Sequence, residues 1–295
     1  MGLRHIRAVV LLVAVLAACG GPEEAAGPAT DDPAGTTPAT EPAAAAVLEI
    51  TATEFSFDHS AEVPAGTVTL AVDNIGATEH VTILSRIEEG ATFDDALAAM
   101  EGPPEEALDT PQLGVGGVAP GASGNAVAVL EPGQYLLLCP LPTPDGPPHF
   151  AQGMVSELTV TEPAAAAELP SAEARVTATE FAFDGIPELG AGEHVVALDN
   201  AGEQEHELNL VELAEGKTID DVIAHYSGPP GQGEPPMRNL GGPLINPATS
   251  QQVLSRFELE AGKSYAFICA VPDFSEQPPT PHVVKGMHSA VFTVE

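Results

Sequence analysis

The hydrophobic and polar positions of the chain alternate in short runs, and this pattern predicts β-strands. In the first half the runs are LEITATEFSFD, TVTLAVDN, HVTILSRI, NAVAVLE, QYLLLC and VSELTV, each bounded by Pro, Gly or Asn. Alternation with a period of two and many β-branched residues are typical of strands. Several short strands at this spacing predict a sandwich or barrel rather than an α/β sheet.

The same pattern occurs twice. TATEFSFD at 51–58 returns 126 positions later (177 minus 51) as TATEFAFD at 177–184. One module is therefore repeated, with a linker rich in Ala, Pro and Glu between the copies. We predict an all-β chain with one domain at 47–161, the linker at 162–172 and a second domain at 173–295.

Each copy also contains one predicted helix. Thr92 and Thr218 precede the apolar runs DALAAM and DVIAHY, and Asp95 and Asp221 follow these threonines three residues later. A threonine N-cap followed by an acidic residue at the third position is a helix-start signal. Each predicted sandwich therefore has one short helix inserted between strands.

The N-terminus predicts export. Residues 1–18 place basic side chains before an apolar run that ends in small residues ahead of Cys19, as in a signal peptide. The segment resembles a bacterial lipoprotein signal, which implies lipidation of Cys19 and a location outside the cytoplasm. A plain secretory signal or a short membrane helix are the alternatives. Residues 19–46 have almost no large apolar side chains, which predicts a disordered tether.

Charge restricts the class of partner. The chain has 43 acidic and 9 basic residues and a net charge of -34. This excess repels nucleic acid, so we expect no nucleic-acid partner. Contact with a membrane is expected only through the lipid anchor.

Each copy repeats one set of side chains with metal-binding chemistry, in the order His, Cys, His, Met. Thiolate and thioether are soft ligands, and two imidazoles with one thiolate and a weak methionine are typical of a blue-copper site. A single loop after the Cys strand carries three of the four residues. We predict two copper ions, held by His80, Cys139, His149 and Met154 and by His206, Cys269, His282 and Met287.

These motifs resemble the cupredoxin family. The segments His149-Phe-Ala-Gln-Gly-Met154 and His282-Val-Val-Lys-Gly-Met287 fit the family's final motif, although both loops after the Cys are longer than in small electron carriers. The resemblance implies an eight-stranded Greek-key sandwich in each half, with copper near one end. It also implies electron transfer.

Other readings of the same residues are open. With Cys19 lipidated, Cys139 and Cys269 form an even pair that could make a disulfide. The cysteines could instead be ordinary buried residues of a metal-free sandwich, and zinc also accepts two His and one Cys. The aromatic residues of the repeated motif, Phe55 and Phe181 among them, alternate as core or sheet-face residues do.

Two extracytoplasmic functions fit best, namely electron transfer and, as the alternative, copper scavenging, storage or delivery without redox cycling. A metal-free ligand-binding sandwich is a third candidate. We do not expect an enzyme, because Leu138 and Ile268 stand where multicopper enzymes commonly carry a histidine before the Cys. The chain also lacks any His-x-His pair.

Overall fold

The computed structural model describes residues 45–100, 111–143, 146–163, 168–229 and 233–295. The predicted signal peptide, Cys19 and all but the last two residues of the predicted tether lie outside the described residues. From residue 45 onward the described chain belongs to one compact unit.

Strands form where the apolar alternation predicts them. In the first half they are β1 (Ala46–Thr53), β2 (Ser56–His59), β3 (Glu62–Pro64), β4 (Gly66–Asn74), β5 (His80–Arg86), β6 (Gln112–Val118), β7 (Ser123–Leu130), β8 (Gly133–Leu138) and β9 (Val155–Thr161). In the second half they are β10 (Ala174–Thr179), β11 (Ala182–Asp184), β12 (Gly192–Asn200), β13 (His206–Glu207), β14 (Asn209–Leu213), β15 (Met237–Asn239), β16 (Pro243–Ile245), β17 (Val253–Leu259), β18 (Ser264–Ile268), β19 (Pro272–Asp273), β20 (Thr280–Pro281) and β21 (Phe292–Thr293).

Both predicted helices are present, α1 at Phe93–Met100 and α2 at Ile219–Ser227. Thr218 and Asp221 form the reciprocal capping box, and Thr92 with Asp95 exchange the same bonds at 2.9 and 3.2 Å. Two short 3-10 helices, η1 (Phe150–Gln152) and η2 (His282–Lys285), follow the Pro-rich loops. None of the helices in the described ranges has the length and apolar character needed to cross a membrane.

The first half is a two-layer sandwich, which confirms the predicted all-β class. One layer has the order β7-β4-β1-β2 and the other β6-β5-β8-β9-β3. Strand β4 shows why two layers form. Its residues Val68, Leu70 and Val72 are buried, while the residues between them are more exposed. Alternating side chains point to opposite faces of a strand, so one face of each layer closes over the core.

Both layers continue from the first half into the second. Strand β7 pairs with β17 at Val127 and Leu254, and β6 pairs with β16 from Val115–Pro243 to Leu113–Ile245. The largest core cluster draws residues from both halves. We call the β6–β16 boundary the seam. The predicted domain limits stay a prediction.

The structure differs from the sequence-based strands in two places. The run LEITATEFSFD is a hairpin, because the chain turns at Glu54–Phe55 and Phe55 has φ of 62°. The sequence-based strands also omit β6, whose Gly-rich segment QLGVGGV lacks the expected alternation. All seven residues of β6 are nevertheless buried, since this strand lies in the middle of a continuous sheet.

Candidate metal centres

In the first half, strand ends bring the predicted ligands together. His80 is the first residue of β5, and Cys139 directly follows β8, which pairs with β5. His149 precedes η1, and Met154 lies between η1 and β9. All four side chains are buried. The loop residues therefore return to the end of the strand that carries His80.

The donor atoms of three of these residues converge. The Nδ1 atom of His149 lies 3.4 Å from the Sγ atom of Cys139 and 3.2 Å from the Nδ1 atom of His80. The Val81 N–H donates to the Cys139 sulfur at 3.4 Å. A backbone N–H directed at sulfur favours a thiolate. Both imidazoles thus present the same ring nitrogen toward the thiol.

Backbone hydrogen bonds fix the loop that carries Cys139, His149 and Met154. The Cys139 N–H donates to the Met154 carbonyl at 3.1 Å, and the Met154 N–H donates to the His149 carbonyl at 3.0 Å. The Phe150 N–H donates to the Cys139 carbonyl at 3.0 Å. Because these bonds need no metal, the loop geometry is set before any ion binds.

The second half repeats this arrangement. The Sγ atom of Cys269 lies 3.4 Å from the Nδ1 atom of His282 and 3.9 Å from that of His206. The Cys269 N–H bonds the Met287 carbonyl at 3.1 Å, and Met287 is fully buried. In each half the His, Cys and His donor atoms lie within 4.8 Å of one another. The two methionines as ligands stay a prediction.

Burial keeps these groups uncharged in the metal-free protein. Burial lowers the pKa of His80, His206 and His282 to about 4. It raises the pKa of the Cys139 thiol to about 11, and that of Cys269 well above its ordinary range. Neutral imidazoles keep a free lone pair for a metal. A bound cation displaces the thiol proton, so metal binding releases protons.

The chemistry of the donors fits copper. One thiol and two imidazoles with a buried thioether nearby are the soft and intermediate donors that favour copper. Both cysteines are free thiols, which excludes the disulfide reading in this structure. The residues therefore provide two copper sites, one in each half. Both halves thus carry the His, Cys and His donors that the resemblance to cupredoxins implied.

The similarities to known proteins lie among solved structures. No protein-family model matches the chain, and no curated protein matches it either. One half is similar to the reduced auracyanin of the photosynthetic bacterium Roseiflexus castenholzii, at 26% identity over 40% of this chain and 98% of that chain, with a TM-score of 0.29.

Other similarities extend over both halves. A multicopper oxidase matches 84% of this chain and 88% of its own at 14% identity, with a TM-score of 0.24. The copper nitrite reductase of Nitrosomonas europaea matches 85% of this chain and 94% of its own at 14% identity, with a TM-score of 0.23.

One prediction requires correction. The expectation that the chain is not an enzyme is contradicted, because the solved structures that match both halves are an oxidase and a reductase. That expectation rested on Leu138 and Ile268 before the two cysteines and on the lack of a His-x-His pair in the sequence. At these identities and TM-scores the similarity assigns no activity to this chain.

Sequence reasoning did not identify Glu54 and Glu180 as part of the sites. The Glu54 carboxylate accepts the N–H groups of Ala77 and Thr78, just before His80. A side chain at Gly76 would fall between this carboxylate and the His80 ring. The repeated TATEF motif was the available signal, since both copies retain the Glu. These acids hold the loop that leads to the first histidine ligand.

The repeated Phe has a role beyond the core. The Phe55 ring meets the His149 ring edge-on with centroids 5.1 Å apart, and Phe181 meets His282 at the same distance. Both phenylalanines have φ of 62°, a left-handed conformation that is strained for a bulky residue. Strained residues of this kind cluster at functional sites. The period-of-two interpretation of these two residues was therefore incomplete.

Asn74 holds the turn before His80. Its side-chain nitrogen donates to the carbonyls of Thr78 and Val118 at 2.8 Å, and its oxygen accepts the Gly76 N–H at 2.9 Å. Asn200 makes the equivalent bonds in the second half. The asparagine side chain suits a turn. Asn74 thus forms the turn and also fixes the segment that leads to His80.

The two sites differ in their surroundings. Glu207 occupies the place of Val81 and is 3% exposed, and its N–H donates to the Cys269 sulfur at 3.5 Å. Burial raises the pKa of this carboxyl to about 7. Gln204 bonds the Nε2 atom of His282 at 3.1 Å, whereas Thr78 occupies that position in the first half. The second site is thus more enclosed and more polar.

Proposed function

We propose that this chain is an extracytoplasmic electron-transfer protein with two type 1 copper sites. Bound copper would cycle between Cu(I) and Cu(II). The observation that carries the proposal is the buried cluster of one thiol and two imidazole Nδ1 atoms, which occurs once in each half. The proposed ligands are His80, Cys139, His149, Met154, His206, Cys269, His282 and Met287.

The protein contributes rigidity to this chemistry. His80 is held by its strand, while Cys139 and His149 are held by backbone hydrogen bonds within their loop. Donors that do not move between oxidation states keep the reorganisation energy of electron transfer small. Exclusion of water from the fully buried thiols also protects a thiolate from side reactions. These features favour electron transfer over storage, which needs ready release of the ion.

Location and partners are part of the same proposal. The signal-like residues 1–18 and Cys19 support export and lipid anchoring. A tether over 19–46 would let the copper-binding region reach a redox or copper-trafficking protein partner near the membrane. The net charge of -34 favours a partner with a basic surface and disfavours nucleic acid.

The test is reconstitution of the metal-free chain with Cu(II). We expect two copper ions per chain and an intense blue absorption from thiolate-to-copper charge transfer, with reversible voltammetry and slow loss of Cu(I) to a chelator. A colourless adduct would contradict the type 1 assignment. A blue protein that loses Cu(I) rapidly would favour storage or delivery. Assays of nitrite reduction and oxygen consumption on the same preparation distinguish a carrier from an enzyme.

A further inference from the structure

The seam between the halves contains a polar cluster that adjoins the second copper site. It consists of Glu79, Glu207, Asn209 and Asn239, and we call it the seam cluster. Glu79 comes from the first half and the other three residues come from the second. Glu79 is half-buried, whereas Glu207 is 3% exposed, Asn209 is 0% exposed and Asn239 is 2% exposed. Side chains from two parts of the chain thus meet in one enclosed place.

Two glycines make room for the cluster. Strand β6 has a bulge, because His80 pairs with Val118 and Thr82 pairs with Val115. The bulged residues Gly116 and Gly117 therefore both face the cluster. A side chain at Gly116 would overlap the Glu207 carboxylate, and one at Gly117 would overlap that of Glu79. Such bulges are over-represented next to functional sites.

The negative charge of the cluster has no basic partner. No Lys or Arg in the described ranges makes an ion pair with Glu79 or Glu207. Glu207 accepts the Ala270 N–H at 2.8 Å, and Glu79 accepts the side-chain amide of Asn239. The other oxygen of each carboxylate is directed toward the glycine bulge, where the Gly117 N–H also bonds the Glu207 carboxylate. Buried carboxylates are normally paired or bound to a metal.

Asn209 gives an independent indication of a ligand. Neither its side-chain oxygen nor its side-chain nitrogen has a hydrogen-bond partner within the described chain, and the Asn239 oxygen also has none. The Asn209 amide nitrogen lies 3.2 Å from the place where a Gly117 Cβ would be, beside the Glu79 carboxylate. A buried amide without hydrogen-bond partners destabilises the folded state. A ligand that supplies contacts to these amides is therefore expected beside the two carboxylates.

We propose that the seam cluster binds one hard divalent cation of the calcium class. The donors are carboxylate oxygens of Glu79 and Glu207 and the amide oxygens of Asn209 and Asn239. Oxygen donors in an irregular arrangement suit Ca²⁺, whereas Mg²⁺ requires a near-octahedral site. The ion joins the two halves across the seam. This proposal does not depend on the copper function.

The test is calorimetric titration of the full, chelator-treated chain with Ca²⁺. We expect one saturable site per chain and a higher unfolding temperature with calcium, since a ligand of the folded state stabilises it. Glu207→Gln and Asn209→Leu should each weaken binding by about tenfold or more, because the first removes a negative charge and the second removes an oxygen donor. Glu215→Gln changes an exposed acid away from the seam and should leave binding unchanged.

A second measurement does not depend on these variants. The Tyr226 hydroxyl is a neighbour of Asn239 at 3.2 Å, so Tb³⁺ at the seam should luminesce on tyrosine excitation. Tyr226→Phe should lose that emission yet still bind Ca²⁺. Equal calcium binding by wild type and Asn209→Leu overturns the proposal, as does a calcium-soaked crystal with only water in the cluster. Copper content and blue absorption of the same samples report separately on the copper sites.

Discussion

The two halves of this protein carry the same ligand geometry in different surroundings. The Cys–His pairs are 3.4 Å apart in both, and Glu54 and Phe55 have exact counterparts in Glu180 and Phe181. Beyond these shared positions the halves diverge. The first site has Val81 beside its thiol, whereas the second has the buried Glu207. A duplicated module can thus keep the metal geometry constant while polarity and access change.

Contacts of Lys285 enclose the second site. Lys285 bonds Asp273 and lies 4.1 Å above the centroid of the Phe181 ring, which packs on His282. In the first half Gln152 stands at the position of Lys285, and it bonds a loop carbonyl instead. Hydrogen bonds and charge around the ligands tune a metal site. We therefore expect the two coppers to differ in potential and in accessibility.

The largest effect should come from the thiols. Cys139→Ser should remove the blue absorption and the copper of the first site only, and Cys269→Ser those of the second, because the thiolate is both ligand and chromophore. Metal analysis should fall from two ions to one in each variant and to none in the double variant. Loss of both coppers from one single substitution would show that the halves are not independent sites.

The next effect concerns Glu207 and has a defined pH range. Its pKa of about 7 in the folded protein lies above the ordinary value of 4.5. The folded state therefore binds the proton more tightly, and the resulting stability is present below pH 4.5 and is lost as pH rises to 7. The shift corresponds to roughly 3 kcal/mol.

Urea denaturation of the metal-free protein in chelator measures this effect. The advantage of wild type over Glu207→Gln should shrink between pH 5 and pH 7.5. The control is Val81→Thr in the first half, which introduces no titrating group and should show a constant difference over the same range. A pH-independent difference for Glu207→Gln would mean that its carboxyl is not desolvated.

A smaller effect is expected at the acids that hold the histidine loops. Glu54→Ala should loosen the turn before His80, because two loop N–H groups lose their acceptor. The carboxylate is solvent-exposed, so the cost should be about 1 kcal/mol. Cu(I) competition with a chelator should show several-fold faster loss from the first site alone. Glu180→Ala should instead speed the loss of Cu(I) from the second site alone. Equal acceleration at both sites in either variant would contradict this prediction.

The smallest effect should come from Gln204. Gln204→Ala removes the bond to the Nε2 atom of His282 and should speed chelator access to the second copper by about fivefold, as expected for roughly 1 kcal/mol. Thr78→Ala, the matching change in the first half, should have little effect on the first copper because Thr78 makes no bond to His149. Stopped-flow absorbance at the blue band measures both rates.

Sequence patterns predicted most of the first-half strands and both helices, because apolar alternation and capping residues are local signals. They did not predict the turn at Glu54–Phe55, although the apolar positions shift register there, from Ala52 to Phe55. Nor did they predict β6, which is Gly-rich but buried along its whole length. Burial of that strand depends on β5 and β16, which lie far from it in sequence.

The sequence by itself determined the repeat, the all-β class and the two sets of donors, since periodicity and residue chemistry are properties of single positions and short segments. Only the tertiary structure decided that Glu79 and Glu207 meet at the seam and that the sheets run from one half into the other. It alone also decided which imidazole nitrogens face the thiols. Each of these depends on the packing of distant segments, and no local pattern records it.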